Sequence, residues 1–201
     1  YVGTQSNGQG HETVYTRMLA DRTGLPEDRI RIVQGDSDRI PQGGGTGGSR
    51  SVTVQGTAIQ AVSGEMIGAF AAFLHAETGS PVTFGEGIFA APGSNISFTL
   101  IEVADLARDR NRDDLLSHSA TITLEARSFP NGAHLAEVEV DPDTGQVRLD
   151  RYTVTDDFGV LINPQLAEGQ VHGGVAQGFG QAVSELGHYD AQGQCLTASF
   201  M

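Results

Sequence analysis

Apolar residues recur along this chain first at helical and then at strand spacing. After a β-prone start over 1–5 and the turn Ser6-Asn7-Gly8-Gln9-Gly10, Val14, Met18 and Leu19 predict a helix over 11–23. Gly24 ends it, Pro26 follows, and Arg29-Ile30-Arg31-Ile32-Val33 alternates like a half-buried strand. A glycine-rich loop, Gly43 to Gly48, then runs into an alanine-rich segment. There Val54, Ala58, Ala61, Val62, Ile67, Phe70, Phe73 and Leu74 predict a helix over 51–76, buried on much of its surface. One or two short strands over 82–91, around Gly85 and Gly87, precede a helix over 100–107, with Thr99 and Glu102 spaced as a capping box. The run 108–114 is charged and solvated.

Beyond it, alternating strands are predicted over 120–127, 133–140 and 146–155. Asp141-Pro142-Asp143-Thr144-Gly145 makes a hairpin turn between the last two. Asn163-Pro164 opens a helix over 165–185, and a final hairpin is predicted over 189–199. The 165–185 helix carries Gly169, Gly173, Gly174, Gly178 and Gly180, each costing about 1 kcal/mol relative to alanine, which implies close approach by backbone or ligand. The expected class is α+β: mixed sheets with long glycine- and alanine-rich helices. The expected divisions are a first α/β subdomain over 1–95, a connecting segment over 96–118 and a second α/β subdomain over 119–201, incomplete at both ends.

Composition narrows the chemistry. The net charge of −13 over 201 residues disfavours nucleic acid and anionic membranes, which need basic surface. All 12 basic residues are arginine, so neither Schiff-base chemistry nor a phosphate-loop lysine is available. The single cysteine, Cys195, makes neither an internal disulfide nor an iron–sulfur site. No uninterrupted apolar run of the roughly 18 residues of a membrane-spanning helix is seen, and no signal peptide, so a cytoplasmic protein is expected.

The loop Gly43-Gly44-Gly45-Thr46-Gly47-Gly48-Ser49-Arg50-Ser51 is suited to an anion. Glycines expose backbone N–H groups before a helix, Ser49 and Ser51 add hydroxyls, and Arg50 adds a bidentate cation. A flexible loop with a polar cap is the plainer alternative. Gly43, Gly45 and Gly48 match G-x-G-x-x-G, but no strand runs directly into them, as dinucleotide-binding folds require. His11-Glu12 starts like a zinc-protease helix, yet Tyr15 stands where the second histidine must be. Ser49 lacks the glycine of a nucleophile elbow, and Asp156-Asp157-Phe158-Gly159 lacks any catalytic-loop partner. His118, His134, His172 and His188 show no metal spacing. Three polar, glycine-flanked clusters remain: Gln9-Gly10-His11, Gly47 to Ser51, and Gln177. Amides and hydroxyls without a nucleophile suit the holding of a large polar cofactor.

Several motifs, in order, carry a resemblance. They are Gly8-Gln9-Gly10-His11-Glu12-Thr13, Gly47-Gly48-Ser49-Arg50-Ser51, Phe129-Pro130-Asn131-Gly132, the stretch Glu137 to Gly145, Gly159-Val160-Leu161-Ile162-Asn163-Pro164 and Gln177-Gly178-Phe179-Gly180. With these the chain resembles the molybdopterin-binding large subunit of the xanthine dehydrogenase, aldehyde oxidase and aerobic carbon monoxide dehydrogenase family. The resemblance implies that Gln9, Gly10, His11, Gly47, Gly48, Ser49, Arg50, Ser51 and Gln177 contact the molybdenum–molybdopterin cofactor, with a cytosine dinucleotide form suiting the anion-binding loop. It implies an oxidoreductase acting on an aldehyde, an N-heterocycle or carbon monoxide with water-derived oxygen. Iron–sulfur and FAD centres would lie on other domains or subunits, alongside the rest of the large subunit. No catalytic or metal-ligating residue is expected here: the family's glycine–glutamate motif would lie beyond Met201 and its substrate-side loop before Tyr1. Glu185 and Cys195 match neither the base nor the copper loop. The piece alone is therefore expected to be inactive. The competing expectation is a noncatalytic cofactor- or nucleotide-binding or assembly module of the same fold.

Overall fold

Glycine punctuation sets the first helices. In the computed structural model, which describes residues 1–126 and 128–199, α1 spans His11–Thr23 and ends at Gly24 in the left-handed conformation (φ 71°), whose N–H bonds the Ala20 carbonyl. Helix α2 spans Ser51–Thr78 and closes the same way at Gly79. Met18 of α1 packs onto Gly56 of α2, where a Cβ would lie 2.8 Å from its terminal methyl. Three short antiparallel strands follow, β1 Thr83–Gly85, β2 Ile88–Ala90 and β3 Ser97–Thr99, in the order β1-β2-β3. β3 runs into α3, Leu100–Asp109, through the capping box: Thr99 Oγ1 accepts from the Glu102 N–H, and a Glu102 carboxylate oxygen accepts from the Thr99 N–H at 2.7 Å. The Thr99 N–H, and after it the Thr99 hydroxyl at 2.8 Å, hold the Glu102 carboxyl below its ordinary range.

The core lies where these elements meet. Phe70, Phe73 and Leu74 of α2 pack with Phe89 of β2, Leu100, Val103 and Ala107 of α3, and Leu115. Helix α2 is long and apolar enough to cross a membrane by length and composition alone, although polar residues interrupt its apolar runs. Its buried phenylalanines serve this core.

The chain divides into two compact units, Tyr1–Ser128 and the segment from Phe129 on. The second unit contains a long antiparallel hairpin, β4 Asn131–Val140 and β5 Val147–Asp157, followed by α4, Pro164–Val183. The Asp141–Gly145 turn is tied by the Asp141 carboxylate, which accepts from the Asp143 and Thr144 N–H groups and so stays below the usual carboxylate range. A register shift between Glu137 and Val138 lets Leu149 and Tyr152 oppose Val138 and Ala136, putting both on one face despite their odd spacing. The other face carries charged pairs, Glu139 with Arg148 and Glu137 with Arg151. Asn163 Oδ1 caps α4 at the Leu166 N–H, with Pro164 in the first turn.

Among the described residues, the strands expected over 1–5, 29–33 and 120–127 and the hairpin expected over 189–199 are not formed as ladders. Of residues 29–33, Arg29 closes a single 3₁₀ turn, Glu27–Arg29, and the segments 1–5 and 30–33 are joined by a backbone bond from Val2 to Val33, too little for a ladder. Residues 120–126 carry no strand, and Arg127 lies outside the described residues. The hairpin expected over 189–199 reduces to one bridge, Tyr189 to Cys195, around an Asp190–Gly193 turn; Phe200 and Met201 lie outside the described residues. Alternation marks a surface that could pair, but a ladder also needs a neighbour.

Replacing Leu74, fully buried, with alanine should lower stability by about 2–5 kcal/mol in urea unfolding. Gln60→Ala, on the exposed face of α2, should change it by no more than about 0.5 kcal/mol.

Candidate cofactor-binding site

The first unit brings two helix beginnings together. Helix α1 starts after Gly10, left-handed at φ 78°, and α2 starts after Arg50; neither has a side-chain cap. The first N–H groups of each helix therefore remain available, with the positive end of the helix dipole behind them. Tyr15, one turn into α1 and fully buried, links the two ends. Its hydroxyl lies 2.9 Å from Thr4 Oγ1 and donates a long bond, 3.5 Å, to the carbonyl of Ser51, the first residue of α2. Burial pushes the Tyr15 phenol up, partly offset by the Thr4 bond, so it stays a neutral donor.

His11 lies beside it, its ring centroid 5.2 Å from that of Tyr15. Only 3% of His11 is exposed, and neither ring nitrogen has a hydrogen-bond partner among the described residues. A buried imidazole without a partner costs about 1–3 kcal/mol, so it is the one polar group here that calls for something more. Burial lowers its pKa and keeps it neutral, with one nitrogen a donor and the other an acceptor.

The glycine loop is pinned at its base and open at its tip. Gly43 crosses Gly3 so closely that a Cβ would sit 2.5 Å from the Gly3 carbonyl oxygen, and Thr46 Oγ1 bonds the backbone of Gln5 on both its N–H and carbonyl. Gly3 itself donates to Gln55 of α2. Gly44, Gly45, Gly47 and Gly48 face open space. Ser49 follows Gly48 into the left-handed region, φ 51°, a conformation that costs a non-glycine residue about 1–3 kcal/mol and recurs at ligand clamps. Arg50 is exposed and forms no ion pair among the described residues.

The predicted residues thus fall into two sets. Gly10, His11 and Ser51 gather around Tyr15, while Gly47, Gly48, Ser49 and Arg50 form the exposed lead into α2. Gln9 turns back on its own loop, where its Oε1 accepts from the Asn7 N–H and the Ser6 hydroxyl. Gln177 sits in α4 of the second unit, exposed. Thr4, Tyr15 and Thr46 are not singled out by any motif. The usable signal for Tyr15 is its four-residue spacing from His11, which stacks the two rings on one helix face. Among the described residues no three histidine, cysteine or carboxylate side chains converge as a metal site.

An orphaned imidazole, two uncapped helix starts and an unpaired arginine form a donor set that fits a large, anionic, hydrogen-bonding cofactor. Residues 1–201 match the family model described as the molybdopterin cofactor-binding domain. The chain belongs to this family. It is 35% identical over its whole length to the carbon monoxide dehydrogenase large chain of Afipia carboxidovorans, and 31% identical over 99% of its length to the nicotine 6-hydroxylase large subunit of Paenarthrobacter nicotinovorans; it covers 26% of each. The structure of quinoline 2-oxidoreductase from Pseudomonas putida superposes with a TM-score of 0.81 at 29% identity, over 98% of this chain and 26% of that one. This molybdopterin-binding chain therefore spans about a quarter of the curated relatives it matches.

His11 should also set a pH dependence. The unfolded chain protonates the imidazole near its ordinary value of 6.5 and the folded chain only at lower pH, so stability contributed by neutral His11 is present above 6.5 and lost as pH falls below it. Urea midpoints of the protein and of His11→Leu, measured from pH 8 to pH 5, should keep a constant difference above about pH 7.5. The protein should then lose stability relative to the variant as the pH drops through 6.5; a pH-independent difference would contradict the assignment.

Proposed function

We propose that this chain is the cofactor-cradling part of the large subunit of a molybdenum hydroxylase, an oxidoreductase that inserts water-derived oxygen into an aldehyde, an N-heterocycle or carbon monoxide. The observation that carries the reading is the orphaned imidazole of His11, the first residue of uncapped α1, beside Tyr15, which reaches the uncapped start of α2. The N–H groups of α1 and α2, the His11 ring, the Ser49 and Ser51 hydroxyls and the Arg50 guanidinium would hold the cofactor's polar and anionic groups. A cytosine dinucleotide form suits this set, because a pyrophosphate uses both helix-terminal N–H groups and a bidentate arginine.

Gln177 would add an amide from the second unit. When bound, the molybdenum centre supplies the two-electron redox chemistry. The residues of this chain bind and orient it; none of them acts as acid or base. Tyr15 stays protonated and fixes the first turn of α2, and His11 offers a donor and an acceptor without adding charge. The remaining large-subunit polypeptide supplies the base and substrate pocket, and iron–sulfur and flavin centres on other domains or subunits remove the electrons. The names of the relatives, a carbon monoxide dehydrogenase and a nicotine 6-hydroxylase, support a small substrate oxidised at an electron-poor carbon.

Molybdenum and pterin content of the purified full-length large subunit tests the loop. A Ser49→Ala/Arg50→Ala double variant should lose charge-assisted bonds of about 1.5–3 kcal/mol, weakening cofactor affinity about 10- to 100-fold with unchanged folding by circular dichroism. Unchanged occupancy would remove the loop from the site.

A further inference from the structure

Among its described residues the second unit buries no hydrophobic core of its own. All thirteen buried hydrophobic residues among those described lie between Val2 and Leu115, whereas Val138, Val140 and Leu186 are 54%, 55% and 72% exposed. The hairpin is nonetheless two-faced: its charged pairs lie on one side, and Ala136, Val138 and Leu149 line a groove on the other. Helix α4 forms the opposite wall with Val175, Phe179 and Val183, one helical stripe that includes Gly174 and Gly178. At 3.6 residues per turn, Gln177 falls on the far side of α4. The groove has a volume of about 480 Å³, and nothing lies within 4 Å of a Cβ built on Gly174 or Gly178. The close approach that these helix glycines allow is not supplied by the described residues.

We infer that this groove is the seat of an uncharged, apolar segment from the remaining large-subunit polypeptide, which enters between hairpin and helix and completes the core of the second unit. The inference rests on the reading of the chain as part of a longer large subunit, since its relatives are about four times its length. Three observations favour that occupant. The lining carries no carboxylate and no arginine. Both ring nitrogens of His134 are engaged: Nδ1 lies 3.0 Å from the Tyr152 hydroxyl and Nε2 lies 3.2 Å from Asp156 Oδ1. The groove therefore offers a small polar ligand little more than the Tyr152 hydroxyl to orient it. A second copy is disfavoured because each chain carries a net charge of −13. An exposed apolar surface of this kind marks an interface rather than a solvated face.

Single-cysteine labelling tests the seat without reference to activity. In the full-length large subunit with Cys195→Ser, maleimide labelling followed by peptide mass spectrometry would compare Val175→Cys, in the groove, with Thr153→Cys, on the hairpin's polar face. Val175→Cys should react at least tenfold more slowly than Thr153→Cys in the full-length subunit, with or without cofactor. Equal rates would overturn the inference. Protection of Val175→Cys that falls on dilution of the full-length subunit would assign the groove to a second copy, and protection lost on removing the cofactor would assign it to the cofactor. Loss of cofactor with protection intact would count against the proposed function and leave this inference standing.

Discussion

The buried hydroxyl of Tyr15 is the contact on which the site depends. It bonds Thr4 at 2.9 Å and makes a long contact, 3.5 Å, to the Ser51 carbonyl, linking the start of α2 to the first turn of α1. A helix start alone offers a partial positive charge to whatever anion comes near. Two starts joined through one buried phenol make a shaped set of donors, and the glycine loop, pinned by Gly3 and Gln5, leads into it. His11 without a partner is the energetic counterpart of that arrangement. An isolated domain would gain by satisfying the ring or replacing it; retaining it buried is consistent with a ligand that completes the bonds.

The same logic of incompleteness runs through the second unit on its own terms. Its hairpin has a backbone ladder interrupted by a single register shift, a well-tied turn and a capped helix after it, so its elements are well formed locally. What it lacks is burial. Backbone bonds and caps each contribute about 1 kcal/mol, whereas burying a valine or phenylalanine contributes about 1.5–3 kcal/mol, so the elements form locally but must draw stability from a neighbouring surface.

Features set by neighbours in sequence were legible from the residues. Gly24, the Thr99–Glu102 box, the Asp141–Gly145 turn and Asn163-Pro164 mark their boundaries because each satisfies backbone groups within a few residues. The loop before α2 was legible from its run of glycines. The strands over 29–33 and 120–126 were not: alternation predicts them, but pairing is decided by distant chain. β3, three residues long, is too short to show a period. The Thr4–Tyr15–Ser51 tie was equally hidden, since it joins residues 11 and 36 positions apart. The orphaning of His11 is a property of packing rather than of any motif.

Hydrogen exchange of the holo and cofactor-stripped large subunit, resolved to the amides of residues 8–15 and 43–55, tests the central claim directly. If the two helix starts hold the cofactor, the amides of His11 to Thr13 and Ser49 to Thr53 should gain protection together on loading. Protection gained elsewhere, with both helix starts exchanging as before, would place the cofactor outside this cradle.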